Sequence, residues 1–402
     1  MISPSQRYNW SNYNKLSQSC QRLLTIDWLW TKLLYMILII NLGSTTLKYQ
    51  VRASKTDQIL FKNTIQITHK PDWPEVWSGI LDSFRESQIE ITSIKQVLHR
   101  VVFGPVDILM SQECNQFQAT NQLLDRLELT TSFAPLHNPI SLSFVRFLGQ
   151  FEFTSFLVFD NYLYRDIQPI NYLYAVPIEW QQKYQIRKYG YHGLAHLSIQ
   201  NQLKKVTPKS KILSLQLGGG CSITVFENGR VITNSMGFGT GDGLIMATRS
   251  GDIDSGALLH LLDVSPISPK ELGDQLQKNA GLLALAGQEY GGDMRLILAN
   301  LDNPRCQLTL DMFVDRIVGY IGNYWLRFGG FDVVAFGGGI GEGSDVVREL
   351  IISKLAILGV ELDSGCNQNA NESAQIVRIS ASLSSAEVWV VPVDEAAAML
   401  GA

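Results

Sequence analysis

Apolar and polar residues follow one another along this chain in a pattern that predicts alternating strands and helices. Two continuous apolar runs, MILIIN from Met36 and KILSLQL at 211–217, predict strands buried on both faces. Further strands are predicted at HRVVFG (99–104), FTSFLVFD (153–160), FDVVAF (331–336) and VWVVPV (388–393). Helical patterns are predicted at 72–98, 119–130, 252–263, 268–278, 307–328, 344–358 and in DEAAAML after residue 393. This succession is typical of an α/β protein.

Turn signals divide the chain into two similar halves. After the first strand, LKYQVRA is predicted to fold back as a hairpin, and SITVFENGRVITNS is predicted to do the same with a type I′ turn at Asn228-Gly229. Residues 134–142 are predicted to form an extended loop because they contain two prolines. Each half therefore opens with a strand, a glycine-containing turn and a hairpin, which predicts an internally duplicated architecture.

Composition narrows the class of protein. A chain of 402 residues is long enough for two domains. The net charge of −4 and the absence of a long basic run disfavour nucleic acid as a partner. Five scattered cysteines, an odd number, favour free thiols in a reducing compartment and hence the cytoplasm.

The N-terminal region differs from the rest. Residues 1–35 are rich in Ser, Asn, Gln and Tyr, and we expect a poorly ordered extension there. The apolar stretch 23–42 is interrupted by Asp27 and Lys32, which leaves an uncharged run of about ten residues where a helical span needs ~20. We therefore expect no association with a membrane.

Three glycine-containing turns, each after a predicted strand, indicate phosphate binding. They are residues 43–46, 218–220 and 337–341. Glycine allows positive φ angles, so that successive backbone N–H groups can point at one anion. None of the turns matches the P-loop or dinucleotide motifs. A single such turn is more often ordinary, but three together favour a nucleotide.

Longer motifs give a resemblance to a known family. They are NLGSTTLK (41–48), HRVV (99–102), APLHN (134–138), VFD (158–160), RKYGYHG (187–193), SMGF (235–238), TRSGDID (248–254), DMR (293–295), GGIGE (338–342) and PVDE (392–395). In these blocks, and in their order, residues 36–402 resemble an acetate kinase. The resemblance implies the duplicated actin-like (ribonuclease H-like) ATPase fold, with a nucleotide cleft between two α/β domains. Domain I would comprise residues 36–160 and 390–402, and domain II, with the dimer interface, residues 161–389.

The resemblance also implies the chemistry and its residues. ATP would phosphorylate a small carboxylic acid with Mg²⁺, or Mn²⁺ in its place, in a homodimer. Four side chains are implied to be catalytic. Arg100 also binds the substrate carboxylate, Asp160 orients Arg100 or the waters on the metal, His192 donates to a phosphoryl oxygen in the transition state, and Arg249 stabilises the phosphoryl group. The rest of the substrate pocket would be Val102, Leu136, His137, Tyr191 and Thr240. Asn41 and Glu395 would bind the metal. The nucleotide would contact Lys48, Gln216, Leu217, Gly218, Gly219, Gly220, Asp293, Met294, Arg295, Gly338, Gly339, Ile340, Gly341 and Glu342.

Several positions depart from the family pattern and leave alternatives open. Gln216 stands where the family usually has histidine, Gly219 where it has asparagine, and Phe103 where it has histidine. In the pocket, Tyr191 and Thr240 replace phenylalanine and proline and add hydroxyl groups. A propionate or butyrate kinase, or a nucleotide-binding descendant with weakened catalysis, therefore remain alternatives to an acetate kinase.

Overall fold

The computed structural model describes residues 35–402 except 44, 45, 55, 57, 69 and 372. The predicted extension at residues 1–35 thus lies outside the described residues apart from Tyr35, as does most of the apolar stretch 23–42. Within the described residues, twelve strands form two six-stranded sheets. The first sheet contains β1 (Met36–Leu42), β2 (Thr46–Ala53), β3 (Ile59–Gln66), β4 (Ile94–Val101), β5 (Phe117–Gln118) and β6 (Thr154–Phe159). The second contains β7 (Lys211–Leu217), β8 (Cys221–Glu227), β9 (Arg230–Asn234), β10 (Val333–Gly337), β11 (Val377–Arg378) and β12 (Glu387–Val390).

The two sheets repeat one topology. Their strand orders are β3-β2-β1-β4-β6-β5 and β9-β8-β7-β10-β12-β11. In each, the opening strand is followed by two antiparallel strands on one side and pairs in parallel with a later strand on the other. A short antiparallel strand closes each sheet. The predicted α/β architecture with internal duplication is confirmed.

Sixteen α-helices connect the strands within the described residues. They are α1 (Trp73–Glu86), α2 (Val106–Leu109), α3 (Asn121–Glu128), α4 (Asn138–Leu148), α5 (Pro169–Tyr172), α6 (Ile178–Tyr184), α7 (Gly193–Leu203), α8 (Ser255–Val264), α9 (Pro269–Lys278), α10 (Gly281–Ala286), α11 (Met294–Leu298), α12 (Pro304–Phe328), α13 (Gly338–Gly343), α14 (Asp345–Lys354), α15 (Ser364–Asn369) and α16 (Glu395–Leu400). Single 3₁₀ turns occupy Ile91–Ser93, Thr131–Phe133, Asp160–Tyr164, Gln288–Tyr290 and Ala356–Leu358. None of the helices of the described part combines the length and apolarity that a membrane span requires.

Three local predictions were wrong. The predicted helix 72–98 ends at Glu86, and β4 begins at Ile94, five residues before the predicted strand. The predicted loop 134–142 contains the start of α4, because Pro139 occupies the first turn, where a helix tolerates the missing N–H group. The predicted glycine loop after β10 is itself a short helix, α13.

The parallel pairing fixes where the functional side chains meet. Ile40 pairs with His99, and Arg100 with Val158, so the carboxyl ends of β1, β4 and β6 lie together. In the second sheet, Gly337 pairs with Gln216, which brings two glycine turns side by side. Helix α7 packs against both β7 and α16, and α16 packs on β1, so α7 joins the two sheets. The carboxyl ends of parallel strands are where α/β proteins bind ligands.

Candidate active site

Arg100 and Asp160 form a buried ion pair at the carboxyl ends of β4 and β6. Arg100 Nη2 donates to Asp160 Oδ2 at 3.0 Å, and the two side chains are 13% and 1% exposed. Burial lowers the pKa of Arg100, but Asp160 and Glu395 outweigh that effect and raise it overall. The guanidinium group therefore stays charged. Its Nε atom is buried and has no hydrogen-bond partner among the described residues, so the group retains a donor for a ligand.

Asp160 also holds the N-terminus of α7. Its carboxylate accepts the backbone N–H groups of His192 at 2.9 Å and Leu194 at 3.2 Å. His192 has a φ of 58°, in the left-handed region that is uncommon outside glycine. A Cβ atom on Gly193 would lie 2.0 Å from the Asp160 carbonyl oxygen, so only glycine fits there. The chain therefore turns sharply at this point and points the His192 ring into the cleft.

His192 and Arg249 meet at the glycine turn after β7. A Cβ atom on Gly220 would lie 2.9 Å from His192 Nε2 and 3.7 Å from Arg249 Nη1. Arg249 Nη1 also donates to the Thr240 carbonyl at 3.0 Å. Burial, together with Arg100 and Arg249, lowers the pKa of His192 to about 3, so its imidazole is neutral near pH 7.

His137 lies beside the same cations. Burial, and then Arg249, Arg100 and His192, lower its pKa to about 3. Its Nδ1 atom is buried without a partner. Burial lowers the pKa of Arg249; Cys221 opposes this, and the nearby Arg100 adds a smaller lowering effect. The predicted residues Arg100, His137, His192 and Arg249 are therefore brought together in one positively charged cluster.

A cavity of about 430 Å³ adjoins this cluster between the two sheets. It is lined by seven predicted site residues: Asn41, Lys48, Gln216, Gly338, Gly339, Glu342 and Glu395. Arg100 Nη1 donates to Asn41 Oδ1 at 3.2 Å, which connects the cavity to the charged cluster. Asn41 Nδ2 in turn donates to Glu395 Oε2.

Gly338 and Gly339 line the cavity beside Gln216. Gly338 has a φ of 79°, and a Cβ atom there would lie 2.6 Å from Gln216 Nε2. Glu342 Oε1 accepts the N–H groups of Gly338 at 2.7 Å and Val393 at 3.1 Å. Burial raises the pKa of Glu342. In the turn between β1 and β2, Gly43 N–H donates to Thr46 O at 2.8 Å, whereas Ser44 and Thr45 lie outside the described residues.

Some predicted nucleotide residues lie elsewhere in the structure. Asp293 and Arg295 pair with each other at 2.6 Å, and the Arg295 side chain is 89% exposed. Met294 and Leu217 are buried in the core of the second sheet, while Ile340 packs against it. None of these five residues lines the cavity. Gly218, Gly219, Gly220 and Gly341 do not line it either, although a Cβ atom on Gly218 would lie 3.5 Å from the backbone nitrogen of Gly339, which does.

Two predicted pocket residues, Val102 and Tyr191, belong to one buried core cluster with Phe103 and Tyr189. Thr240 is also buried, and Leu136 is half-buried in a turn. The Tyr191 hydroxyl donates to the Phe238 carbonyl at 2.9 Å. This hydroxyl is therefore already paired and adds little polarity. Phe103 stacks on Phe133 with ring centroids 4.7 Å apart, so this departure from the family pattern serves packing.

Five residues that line the cavity were missed from the sequence, namely Ile39, Gln50, Val393, Asp394 and Ala396, and so was Ser222 beside His192. Gln50 lines the cavity beside Lys48; residues i and i+2 of a strand share one face, and this signal was available. Ser222 contacts the His192 ring through a 2.9 Å bond between its Oγ and Nδ1. His192 precedes α7 and Ser222 lies on β8, thirty positions later. No local sequence pattern predicts a contact between them.

This fold and site define a two-domain α/β kinase of the actin-like ATPase type. The sequence profile of the Acetokinase family matches residues 62–400, and the chain belongs to that family. An acetate kinase from Dictyoglomus turgidum is 33% identical over 394 residues, which cover 89% of this chain and 94% of that protein.

Solved structures agree with this assignment. A propionate kinase from Francisella tularensis is 29% identical with a TM-score of 0.81, and an acetate kinase from Entamoeba histolytica is 29% identical with a TM-score of 0.79. Each comparison covers 91% of this chain and 98% of the other. The resemblance predicted from the sequence is confirmed, and so is the expectation of an ATP-dependent phosphotransferase.

Proposed function

We propose that the protein is an acetate kinase, which transfers the γ-phosphoryl group of ATP reversibly to acetate and yields acetyl phosphate and ADP. One observation carries the proposal beyond family membership. Arg100, on β4, and Arg249, in the loop after β9, both lie next to His192, and Arg100 also contacts Asn41 in the lining of the cavity. A site that merely binds nucleotide has no use for two converging arginines outside its phosphate turns.

The chemistry requires cations more than a base. Acetate is ionised near pH 7, since carboxylic acids titrate near ~4, so its oxygen attacks the γ-phosphorus while the bond to the bridging oxygen of ADP breaks. No proton needs to move. Two like unit charges 4 Å apart repel each other by about 1 kcal/mol in water and about 4 kcal/mol at an effective dielectric constant of 20. The site must offset that repulsion.

Each member of the charged cluster has a proposed part in this step. Arg100, held by Asp160, binds the acetate carboxylate. Arg249 binds the phosphoryl oxygens, because a guanidinium matches their geometry. The neutral His192 donates one hydrogen bond to the phosphoryl group as charge spreads over its oxygens. The acetate methyl group lies against Val102, Leu136, Tyr191 and Thr240, with His137 beside them.

Asn41 and Glu395 fit a magnesium site. Both side chains line the cavity together with Lys48, and Asn41 Nδ2 donates to Glu395 Oε2. In the described part of the chain, no three His, Cys, Asp or Glu side chains cluster as metal ligands. Mg²⁺ prefers few protein oxygens together with phosphate and water, and Mn²⁺ suits the same donors. When bound, the metal would neutralise phosphate charge.

The nucleotide phosphates are proposed to bind between the glycine turns. The proposed donors are the backbone N–H groups of Gly219, Gly220, Gly339 and Ile340, with Lys48 and Gln216 at their sides, whereas the N–H groups of Gly218 and Gly338 already donate to Gly220 O and Glu342 Oε1. Asp293, Met294 and Arg295 lie outside the cavity, and a contact with the distal part of the nucleotide remains a prediction for them.

Propionate is the second candidate substrate. The Francisella tularensis protein, with the higher TM-score of the two structures compared, is a propionate kinase. Propionate is one methylene longer than acetate, and an apolar pocket distinguishes two substrates that differ by one methylene by only ~1–3 kcal/mol. We expect kcat/KM to be highest for acetate; a tenfold preference for another acid would replace this assignment.

We also propose a cytoplasmic homodimer. Helix α8 (SGALLHLLDV) has no buried residue, and Leu259 and Val264 are 67% and 62% exposed. A second copy of the chain would cover this apolar face. Sedimentation should show a dimer for the wild type and a monomer for Leu259→Asp; a monomeric wild type would refute the interface. The state of the cysteines supports the cytoplasmic location. Four cysteines of the described residues are free thiols, as expected in a reducing compartment: Cys114, Cys221, Cys306 and Cys366.

Hydroxylamine trapping of acetyl phosphate tests the function directly. With ATP, Mg²⁺ and acetate, the wild type should form acetohydroxamate. Arg249→Ala should lower kcat by about 10³-fold, because removing such an arginine typically costs that much. Arg85→Ala is the matched control, since Arg85 is 72% exposed and remote from the site. A wild type without product would leave a nucleotide-binding protein with weakened catalysis.

A further inference from the structure

A line of four buried side chains runs from the core of the second sheet to the cleft. Ser214 Oγ lies 2.8 Å from His196 Nδ1, and His196 Nε2 lies 2.7 Å from Ser222 Oγ. The same Ser222 Oγ lies 2.9 Å from His192 Nδ1. Ser214, His196 and Ser222 have no exposed surface. The far end of this line is His192 Nε2, the atom that faces Gly220 and Arg249.

The arrangement of the protons in this line depends on Ser222. In two arrangements Ser222 donates to one of the two histidines; a third, in which Ser222 accepts from both, leaves its fully buried hydroxyl proton without an acceptor among the described residues and is therefore costly. A neutral imidazole has one N–H donor and one bare nitrogen, and a serine hydroxyl has one O–H donor. In the first arrangement, Ser214 donates to His196, His196 Nε2–H donates to Ser222, and Ser222 donates to His192 Nδ1. In the second, every donor is reversed. Each of these two arrangements leaves one donor without an acceptor inside the line, and we call it the spare donor. It lies at the His192 end in the first arrangement and at the Ser214 end in the second.

The surroundings favour the first arrangement. There the spare donor is His192 Nε2–H, which faces the cleft. In the second arrangement the spare donor is the Ser214 hydroxyl, which is fully buried and has His196 as its one partner among the described side chains. A buried O–H group without an acceptor is costly. Burial, and secondarily the nearby His192, keep the pKa of His196 well below its usual value, so His196 contributes one donor and one acceptor.

The first arrangement is also the one that the reaction needs. A phosphoryl oxygen is an acceptor, and a bare Nε2 lone pair would repel it. We propose that Ser214, His196 and Ser222 hold His192 as its Nε2–H tautomer, which makes them positioning residues for phosphoryl transfer. This inference rests on the proposed function for the role of His192, whereas the tautomer itself does not depend on any substrate.

Nitrogen-15 NMR of histidine-labelled protein, without substrate, reads the tautomer directly. We expect a protonated Nε2 and a bare Nδ1 on His192. Ser214→Ala removes the bias from the core without altering the cleft, so the two tautomers of His192 should mix. A wild type with a protonated Nδ1, or a Ser214→Ala variant with an unchanged tautomer, would overturn the proposal.

Kinetics complete the test. Ser222→Ala should lower kcat at least about 10-fold, since one oriented donor is lost, and leave the KM for acetate within about twofold. Ser222→Thr, which keeps a hydroxyl, should restore most of the rate. Ser141→Ala is the matched control, because Ser141 is buried and its hydroxyl has no partner. An equal loss in Ser222→Ala and Ser222→Thr would refute the role of the hydroxyl. An inactive wild type with the expected tautomer would refute the proposed function and leave the tautomer assignment standing.

Discussion

The carboxylate of Asp160 reaches Arg100 at 3.0 Å while it caps the helix that begins beside His192. One buried acid therefore sets the position of a cation from β4 and of an imidazole at the start of α7. The positions of Arg100 on β4 and of His192 at the start of α7 both depend on Asp160, because its carboxylate contacts both residues.

Loss of the Asp160 charge should weaken folding and catalysis together. Asp160→Asn leaves Arg100 buried without its counter-charge, and breaking such a pair typically costs 3–5 kcal/mol. We expect a decrease of about 3 kcal/mol in the free energy of unfolding, measured with urea, and a decrease in kcat/KM for acetate of at least about 100-fold. Asp107→Asn, which breaks an exposed pair with Arg126, should change the free energy by less than about 1 kcal/mol. Equal stabilities of the two variants would contradict the central role of Asp160.

Two neighbouring glycines offer a matched test of the cleft. A Cβ atom on Gly220 would lie 2.9 Å from His192 Nε2, whereas one on Gly219 meets nothing within 4 Å. Gly220→Ala should displace His192 and lower kcat by about 100-fold, with a small change in Tm. Gly219→Ala should keep its kcat within about threefold, because the methyl group has open space. Similar kcat values for the two variants would show that His192 has no fixed place in the reaction.

Buried histidines predict a loss of stability in acid. The pKa values of His99, His137 and His192 are about 3 in the folded protein, mainly because of burial, against ~6.5 in an unfolded chain. Between these values the unfolded chain binds more protons, so the free energy of unfolding falls as the pH falls. Each group contributes up to about 1.4 kcal/mol per pH unit below about pH 6.5 and nothing above it.

Urea unfolding at about pH 7.5 and about pH 5.5 measures this effect. His99→Phe should reduce the dependence by about one proton, because His99 is buried in the first sheet, where its Nε2 atom lies 3.3 Å from the Ser155 hydroxyl oxygen. A pH dependence identical to that of the wild type would mean that His99 is protonated in the folded state.

The hydroxyl group of Tyr191 should matter to folding more than to substrate choice. Because it donates to the Phe238 carbonyl at 2.9 Å, Tyr191→Phe leaves a carbonyl group without its partner. We expect a loss of about 1 kcal/mol in stability and a ratio of kcat/KM for acetate over propionate within about twofold of the wild-type value. A ratio shifted tenfold would place the hydroxyl against the substrate.

Much of this molecule could be predicted from the sequence, for identifiable reasons. The strands around Asn41, Asp160 and Gln216 are short apolar runs that end in a polar residue or glycine turn, so local pattern sufficed. The start of β4 was missed because IKQVL fits a helical period as well as a strand. Helix α4 was missed because Pro139 was interpreted as a breaker, although it occupies the first turn of the helix.

Contacts between distant segments explain the rest. The four-residue line from Ser214 to His192 depends on how α7 packs across β7 and β8. The paired state of Tyr191 depends on a carbonyl in a loop forty-seven residues away. Neither set of contacts could be predicted from local sequence, because both form between segments that only the tertiary structure brings together.

Helix α16 belongs to the first sheet although it follows the last strand of the second. Met399 is fully buried, and the Met399 and Leu400 carbonyls accept hydrogen bonds from Gln116 at 3.1 and 3.2 Å. During synthesis on the ribosome, the first half of the protein must therefore wait for more than two hundred later residues before its own packing is complete. Until then the nascent first half exposes the apolar surface that α16 later covers. We expect a chaperone to bind the nascent chain at that surface.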